Sequence, residues 1–202
     1  HDVLSEMHKR ALAGDVPTKA ELESLVDRHL HPPYAYPTLR EQLRESAIKA
    51  IDRYFDRHGD DLTRTIHSEK VIEVEISPGV TVNGRIDLIK SLETGETAIV
   101  DFKSTQASQA ELVTKDQLSI YALGYEQLTG DAADRIQILN HDDQSKSTND
   151  PVNPALVAAI KAKVDAVADD IRANHFVCTH DHATESAYDD LAWMTKGGHA
   201  HP

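Results

Sequence analysis

At 202 residues the chain is long enough for one domain with a substantial core, or for one domain with appended helices. It has no run of about 18 apolar residues, and its start is neither basic nor apolar enough for a secretory leader, so neither a membrane-spanning helix nor a signal peptide is expected. Its single cysteine, Cys178, excludes an internal disulfide and fits a reducing cytoplasm, and a formal charge of −13 excludes a globally basic surface.

In chain order, residues 1–14 read as a helix with Val3, Leu4, Met7, Ala11 and Leu12 along one side, ended by Gly14. Thr18 with Glu21 three residues later forms a capping-box signature for a second helix that runs to about Leu30. Pro32, Pro33 and Pro37 then forbid helix through residues 31–37. A long helix is expected from Thr38 to about His58, with Leu39, Leu43, Ala47, Ile48, Ile51, Tyr54 and Phe55 as its apolar stripe and Gly59-Asp60-Asp61 closing it. A strand follows over Ile66–Ile76, and Ser77-Pro78-Gly79 turns the chain into a second over residues 80–91. Leu92–Glu96 is a short polar link to a third over residues 97–104. A helix from about Gln109 to Leu128, with Gly124 allowing close approach to the sheet, precedes a strand over Ile136–Asn140. Residues 141–153 read as a polar loop, Pro154 to about Ala173 as a helix, and the remainder is poorly patterned, with no internal repeat.

The middle hairpin carries the chemistry. With Glu93-Thr94-Gly95 as its loop, Asp87 faces Asp101 and Arg85 faces Lys103, while Leu88 meets Val100 and Ile86 meets Phe102 on the other side. One face is then a core layer and the other holds two carboxylates and a lysine. Facing carboxylates repel, so something must offset their charge. Lys103 supplies one positive charge and Arg85 a second. A hard divalent cation does this better: it takes carboxylate oxygens, keeps positions open for water and phosphate, and lowers the pKa of a bound water. The alternative reading of the same residues is a salt-bridge patch on an exposed sheet face.

The ordered set Gly84-Arg85-Ile86-Asp87, Ile99-Val100-Asp101-Phe102-Lys103-Ser104 and Gln117-Leu118-Ser119-Ile120-Tyr121 resembles the RecB-type branch of the PD-(D/E)XK nuclease superfamily over roughly residues 1–140. The nearest likeness is to the nuclease domains at the C-terminus of UvrD/Rep-type DNA helicases and the exonuclease domains of RecBCD and AddAB-like enzymes. The resemblance implies an α/β fold with a restriction-endonuclease-like core, a mixed central sheet flanked by helices, and an N-terminal helical segment. On that basis residues 1–176 form the nuclease-like domain, with a helical part over 1–60, a catalytic core over 61–140 and a C-terminal helix over 154–174; 177–202 is a tail.

By the same resemblance Asp87, Asp101 and the backbone carbonyl of Phe102 would hold Mg²⁺ or Mn²⁺, and Lys103 would position the attacking water or steady the scissile phosphate. Gln117 and Tyr121, four apart on one helical face, would contact the site or the DNA strand. The family also places a metal-ligating His on an early helix. Here His1, with Leu4 at the family's offset, and His8, with Leu12 one residue late, compete for that role, and His1 is the preferred ligand. A chain that starts on a ligand suggests a piece of a longer polypeptide. Many relatives hold an iron–sulfur cluster with four cysteines; Cys178 alone cannot. The run from His175 through Cys178 to His182 does not have a usual zinc spacing, and His199 and His201 near Gly197-Gly198 read as a flexible tail.

The implied activity is Mg²⁺- or Mn²⁺-dependent DNA cleavage, with exonuclease action expected, in repair or recombination and joined to a UvrD/Rep-type helicase motor in cis or trans. The acid excess is then confined to faces away from the cleft, or the partner grips the DNA. The alternatives are an inactivated nuclease-fold module that binds DNA or a partner, and a structural domain whose hairpin acids are surface decoration.

Overall fold

The structure, a computed structural model, describes residues 1–103, 111–140 and 147–175, with the backbone alone for 111–113. Five strands, β1 (Thr65–Ser77), β2 (Val80–Ser91), β3 (Thr97–Lys103), β4 (Arg135–Asn140) and β5 (Thr148–Pro151), form one sheet in the order β1-β2-β3-β4-β5. All neighbours are antiparallel except β3 and β4, which run parallel and are joined through helix α4 (Glu111–Thr129). Helices α1 (Asp2–Leu12), α2 (Leu22–His29) and α3 (Pro37–His58) precede the sheet, and α5 (Pro154–Arg172) follows it. This is the mixed sheet flanked by helices, with an N-terminal helical segment, expected of a restriction-endonuclease-like core. Packing divides the chain into units His1–Ala166 and Val167–Pro202, the break falling within α5.

The N-terminal helices bury one side each. Leu4 and Met7 of α1, Leu22, Leu25 and Val26 of α2, and Ile51 and Tyr54 of α3 join Leu62, Leu88, Ala98, Val100, Phe102 and Leu139 in one apolar cluster. Each fully buried Leu or Ile contributes roughly 1.5–3 kcal/mol there. The capping box forms: the Glu21 carboxylate accepts from both the backbone N–H and the hydroxyl of Thr18, at 2.8 Å each. The first turn after it is 3₁₀, so α2 proper starts at Leu22.

The opposite face of the sheet is also covered. Gly124 of α4 brings its backbone so near β1 that a Cβ there would sit 2.5 Å from Val74 Cγ2 and 2.7 Å from Ile72 Cδ1. The hairpin pairs as expected at Leu88↔Val100, and Gly95 closes its turn at φ +84°. The acid-bearing side of β3 is not the exposed face that the salt-bridge-patch alternative required. Every residue from Ala98 to Phe102 is buried, Asp101 included, because a strand held between β2 and a parallel β4 lies mid-sheet with layers on both sides. One expectation is corrected at β5, which falls in the expected polar loop. Its residues Thr148-Asn149-Asp150-Pro151 carry no apolar alternation; the strand exists through backbone pairing to β4 at the sheet edge, where Pro151 is tolerated.

A chain of buried hydrogen bonds crosses the helical layer. The Thr65 hydroxyl donates to the Leu62 carbonyl at 2.8 Å and so accepts from His8 Nδ1 at 2.6 Å; His8 Nε2 then accepts from the Tyr54 hydroxyl at 2.7 Å. Burial, assisted by the charge of Lys90, lowers the His8 pKa to about 4, which keeps the ring neutral and the chain satisfied.

Candidate active site

The site sits where β2 and β3 separate. Regular pairing ends at Leu88↔Val100, and one step further the Asp87 carboxylate stands in for a strand partner: Phe102 N–H donates to Asp87 Oδ2 at 2.9 Å. Phe102 thus fixes Asp87 through its backbone while its ring points into the helical layer, 6.2 Å from the His8 ring and 5.8 Å from Tyr54. On either side of Phe102, Asp101 and Lys103 pair with each other, Lys103 Nζ lying 2.9 Å from Asp101 Oδ2. His1 reaches the same place from α1, with Nδ1 3.6 Å from Asp87 Oδ2 and its ring 6.2 Å from Phe102. His8, the competing candidate, has both ring nitrogens engaged in the core.

The electrostatics follow from burial. The pKa of Asp87 rises to about 6, first through loss of solvent and then through the charges of Asp101 and Glu69, against the opposing pull of the Phe102 N–H and Lys103. Burial also pushes Asp101 up, with Lys103 pulling it down. Two carboxylates are therefore held where ionisation is costly, one ammonium being too little to offset both.

Helix α4 brings the remaining pair. Gln117 Nε2 donates to the Tyr121 hydroxyl at 2.8 Å, as residues four apart on one face can. Tyr121 also explains the glycine that opens the Gly-Arg-Ile-Asp run: a Cβ on Gly84 would lie 2.6 Å from Tyr121 Cε1. Gly84 is needed for this close approach and not for an unusual backbone angle, since it is absent from the positive-φ positions. A Gly84→Ala substitution is expected to cost about 1–3 kcal/mol by overpacking. In a Tyr121→Ala background the cost should fall below about 1 kcal/mol, read as the interaction term of a double-mutant cycle from denaturant melts. Equal costs in both backgrounds would contradict this contact.

The expected Arg85–Lys103 facing does not form. Arg85 turns to the other neighbour, its Nε 2.7 Å from Glu69 Oε2 on β1. Glu69 is the site residue the sequence reading missed. It lies between the register pairs Ser68↔Leu88 and Lys70↔Ile86, opposite Asp87, at φ +55°, a left-handed backbone position uncommon for a side chain of this kind. Carrying the pairing argument one strand further, through the Ser77-Pro78-Gly79 turn, would have placed it there. Ser104, the expected link to α4, and the Cys178 run with its histidines lie outside the described residues, as does the tail from 177.

Together the two acids and the lysine form the Asp…Asp-x-Lys arrangement on adjacent strands, and the profile of the PD-(D/E)XK nuclease superfamily matches residues 1–186. The chain belongs to this superfamily. Among solved structures it is similar to the "Putative exonuclease" of Eubacterium rectale, at 12% identity and a TM-score of 0.48 over 90% of this chain and 83% of that one. It is also similar to SSO0001, at 12% identity and a TM-score of 0.39 over 82% and 73% of the two chains. No curated protein matches it. No helix among the described residues is long and apolar enough to cross a membrane.

Superfamily members generally use divalent metals, and the donor set here fits one by its chemistry. Carboxylate oxygens beside an imidazole suit a hard or borderline divalent ion, and burial, followed by the charges of Asp101 and Glu69, makes ionised Asp87 costly without a further counter-charge. Among the described residues no three His, Cys, Asp or Glu side chains already converge as a closed cage. The possible ligands stand apart, Asp87 beside His1 and Asp101 paired with the Lys103 ammonium.

Proposed function

We propose that the chain is a Mg²⁺- or Mn²⁺-dependent DNA nuclease of the RecB type, acting as an exonuclease in repair or recombination and joined to a UvrD/Rep-type helicase motor. The observation that carries the reading is Asp87 held by the Phe102 N–H at the parting of β2 and β3, near enough to feel the charge of Asp101, with Lys103 paired to Asp101 and His1 beside Asp87. Asp87, Asp101, the Phe102 carbonyl and His1 would hold the cation. When bound, it supplies a Lewis acid for the scissile phosphate and an acidified water. Lys103 holds its ammonium where it can orient the attacking water and offset charge building on the phosphate oxygens. Gln117 and Tyr121 steady the strand from α4. The Phe102 N–H keeps the Asp87 carboxylate aimed, so its task is orientation.

End-labelled single- and double-stranded DNA, incubated with Mg²⁺, with Mn²⁺ and with chelator, tests this. Cleavage with either ion and none with chelator is expected. Because Asp87 must be ionised to hold the cation and its pKa is raised to about 6, the rate should fall as pH drops through 6, by roughly tenfold per unit. Raising the cation concentration should move that fall to lower pH, since proton and cation compete for one carboxylate. A product ladder growing from one end supports exonuclease action; internal cuts first would exclude it. Absence of cleavage together with no Mn²⁺ binding at millimolar concentration would instead favour an inactivated DNA- or partner-binding module.

A further inference from the structure

Beside the site, on the helical-layer side of β4, lies a cavity of about 260 Å³ that the proposed reaction does not use. Arg53, Tyr54, Arg57 and His58 of α3 form one wall, and Leu139 and Asn140 of β4 form the other. Two features relate it to the strand that carries Asp101 and Lys103. First, the parallel register pairs Phe102 with Leu139 and Lys103 with Asn140, so the strand carrying the lysine is the immediate neighbour of the cavity wall. Second, the Tyr54 ring lining the cavity is 5.8 Å from Phe102, and Phe102 is 6.2 Å from His1. Through Tyr54 the cavity adjoins the Phe102 ring, and through Asn140 it adjoins the strand position of Lys103.

This wall carries positive charge in an acidic molecule. With 34 acids against 21 Lys and Arg, six of the ten arginines are tied to carboxylates among the described residues: Arg10 to Asp15 and Glu21, Arg28 to Glu6, Arg44 to Asp27, Arg64 to Asp61 and Glu93, Arg85 to Glu69, and Arg172 to Asp169. Arg57, exposed at the cavity, makes no ion pair or side-chain hydrogen bond among the described residues. Arg53, which has an interaction of its own, stands four residues before it, on the same face of α3. Two guanidinium groups with an imidazole and an amide around a small concave space match the fork geometry and donors that a phosphate takes up.

We infer that this cavity is a phosphate-binding subsite: Arg53 and Arg57, helped by His58 and Asn140, take a phosphate of the DNA strand whose scissile bond lies at Asp87, Asp101 and Lys103. The inference rests on the nuclease reading for its substrate. It also answers the charge problem posed by the sequence, because contact with a polyanion is concentrated in one local wall instead of spread over the surface.

The test uses the full chain carrying Asp101→Asn, so that DNA is bound and not cut, with a fluorescent single-stranded oligonucleotide carrying either a 5′-phosphate or a 5′-hydroxyl. Adding Arg57→Gln or Arg53→Gln should weaken binding by about fivefold to tenfold and make the slope of log affinity against log salt shallower by about one. Lys9→Gln, which removes the same charge from an exposed position on α1 that does not line the cavity, should leave both unchanged. In the otherwise unaltered enzyme, Arg57→Gln should raise KM with kcat kept within about twofold. Loss with both oligonucleotides assigns the subsite to a backbone phosphodiester, and loss with the 5′-phosphorylated one alone assigns it to a terminal phosphate; either supports it. Folded variants with unchanged affinity, slope and KM overturn it while leaving the nuclease reading intact. A parent enzyme that cuts no DNA removes the nuclease reading itself.

Discussion

Asp101→Asn is expected to lower divalent-dependent DNA cleavage by about a thousandfold or more while leaving the fold in place. The substitution keeps the shape of the side chain and an oxygen that can still accept from Lys103, now 2.9 Å from Asp101 Oδ2. What it removes is the charge. A Lewis-acid contribution of several kcal/mol depends on that charge holding the cation, and each 1.36 kcal/mol is a factor of ten in rate. Stability should move little, and in the favourable direction. Burial pushes the Asp101 pKa up, so the ionised form is disfavoured in the folded state and its cost is present at neutral pH. The cation-free variant is therefore expected to melt at or slightly above the parent at pH 7, by no more than about 1 kcal/mol after solvent screening, and to lose that margin toward pH 4. Adding Asp87→Asn should cost far less than it does alone, since the two acids act on one ion. Single-turnover cleavage beside thermal melts checks both halves. Unchanged cleavage by a folded Asp101→Asn protein would remove this site assignment.

The hairpin register was legible because three constraints agreed. Gly95 marks the turn, Val and Ile alternation marks the strands, and only one pairing sets Leu88 against Val100. From that register Asp87, Asp101 and Lys103 follow by parity. What the sequence concealed was the layer above them. Alternation of polar and apolar residues normally signals an exposed face, but in β3 the polar position Asp101 is buried and Lys103 beside it is half-buried. The rule fails at the place where the chain departs from simple burial. Arg85 was misplaced for a related reason. A central strand has two neighbours, and a long side chain near the site took Glu69 on β1 over Lys103 on β3. Strand β5 was invisible because its stability comes from backbone pairing, which leaves no mark on side-chain pattern. The early histidine was ambiguous by spacing alone. His1, which caps α1, and His8 within it lie two turns apart, and what separates them is whether their nitrogens are engaged in the core, a property of the tertiary fold.

The largest expected loss of stability comes from a residue outside the site. Lys90 follows Leu88 on the same inward face of β2, and its side chain is 4% exposed. Its ammonium donates to Asp61 Oδ2 at 2.7 Å, and the same carboxyl group lies 3.2 Å from Arg64 and 3.6 Å from His58. Burial alone would push the Asp61 pKa up; the hydrogen bond and charge of Lys90 outweigh it and hold the carboxyl below its usual value, so it is ionised at neutral pH. Taking two ions out of water is costly, and the pair is tolerable only while both members are present. Asp61→Ala leaves a buried ammonium without its counter-charge and should destabilise the protein by about 3–5 kcal/mol, whereas Lys90→Met, apolar and of similar volume, should stay within about 1 kcal/mol of the parent. The asymmetry makes the argument testable. In the Lys90→Met background the further change Asp61→Ala should cost only about 1 kcal/mol, because no buried charge is left to abandon. The acid limb should respond as well: the stability carried by ionised Asp61 is present above its unfolded pKa and is lost as pH falls through the folded value, so Lys90→Met should flatten the decline at the lowest pH. Urea titrations of the four proteins at pH 7 and below pH 4 read both effects. Equal losses for Asp61→Ala and Lys90→Met would show that the pair is held by packing and not by charge.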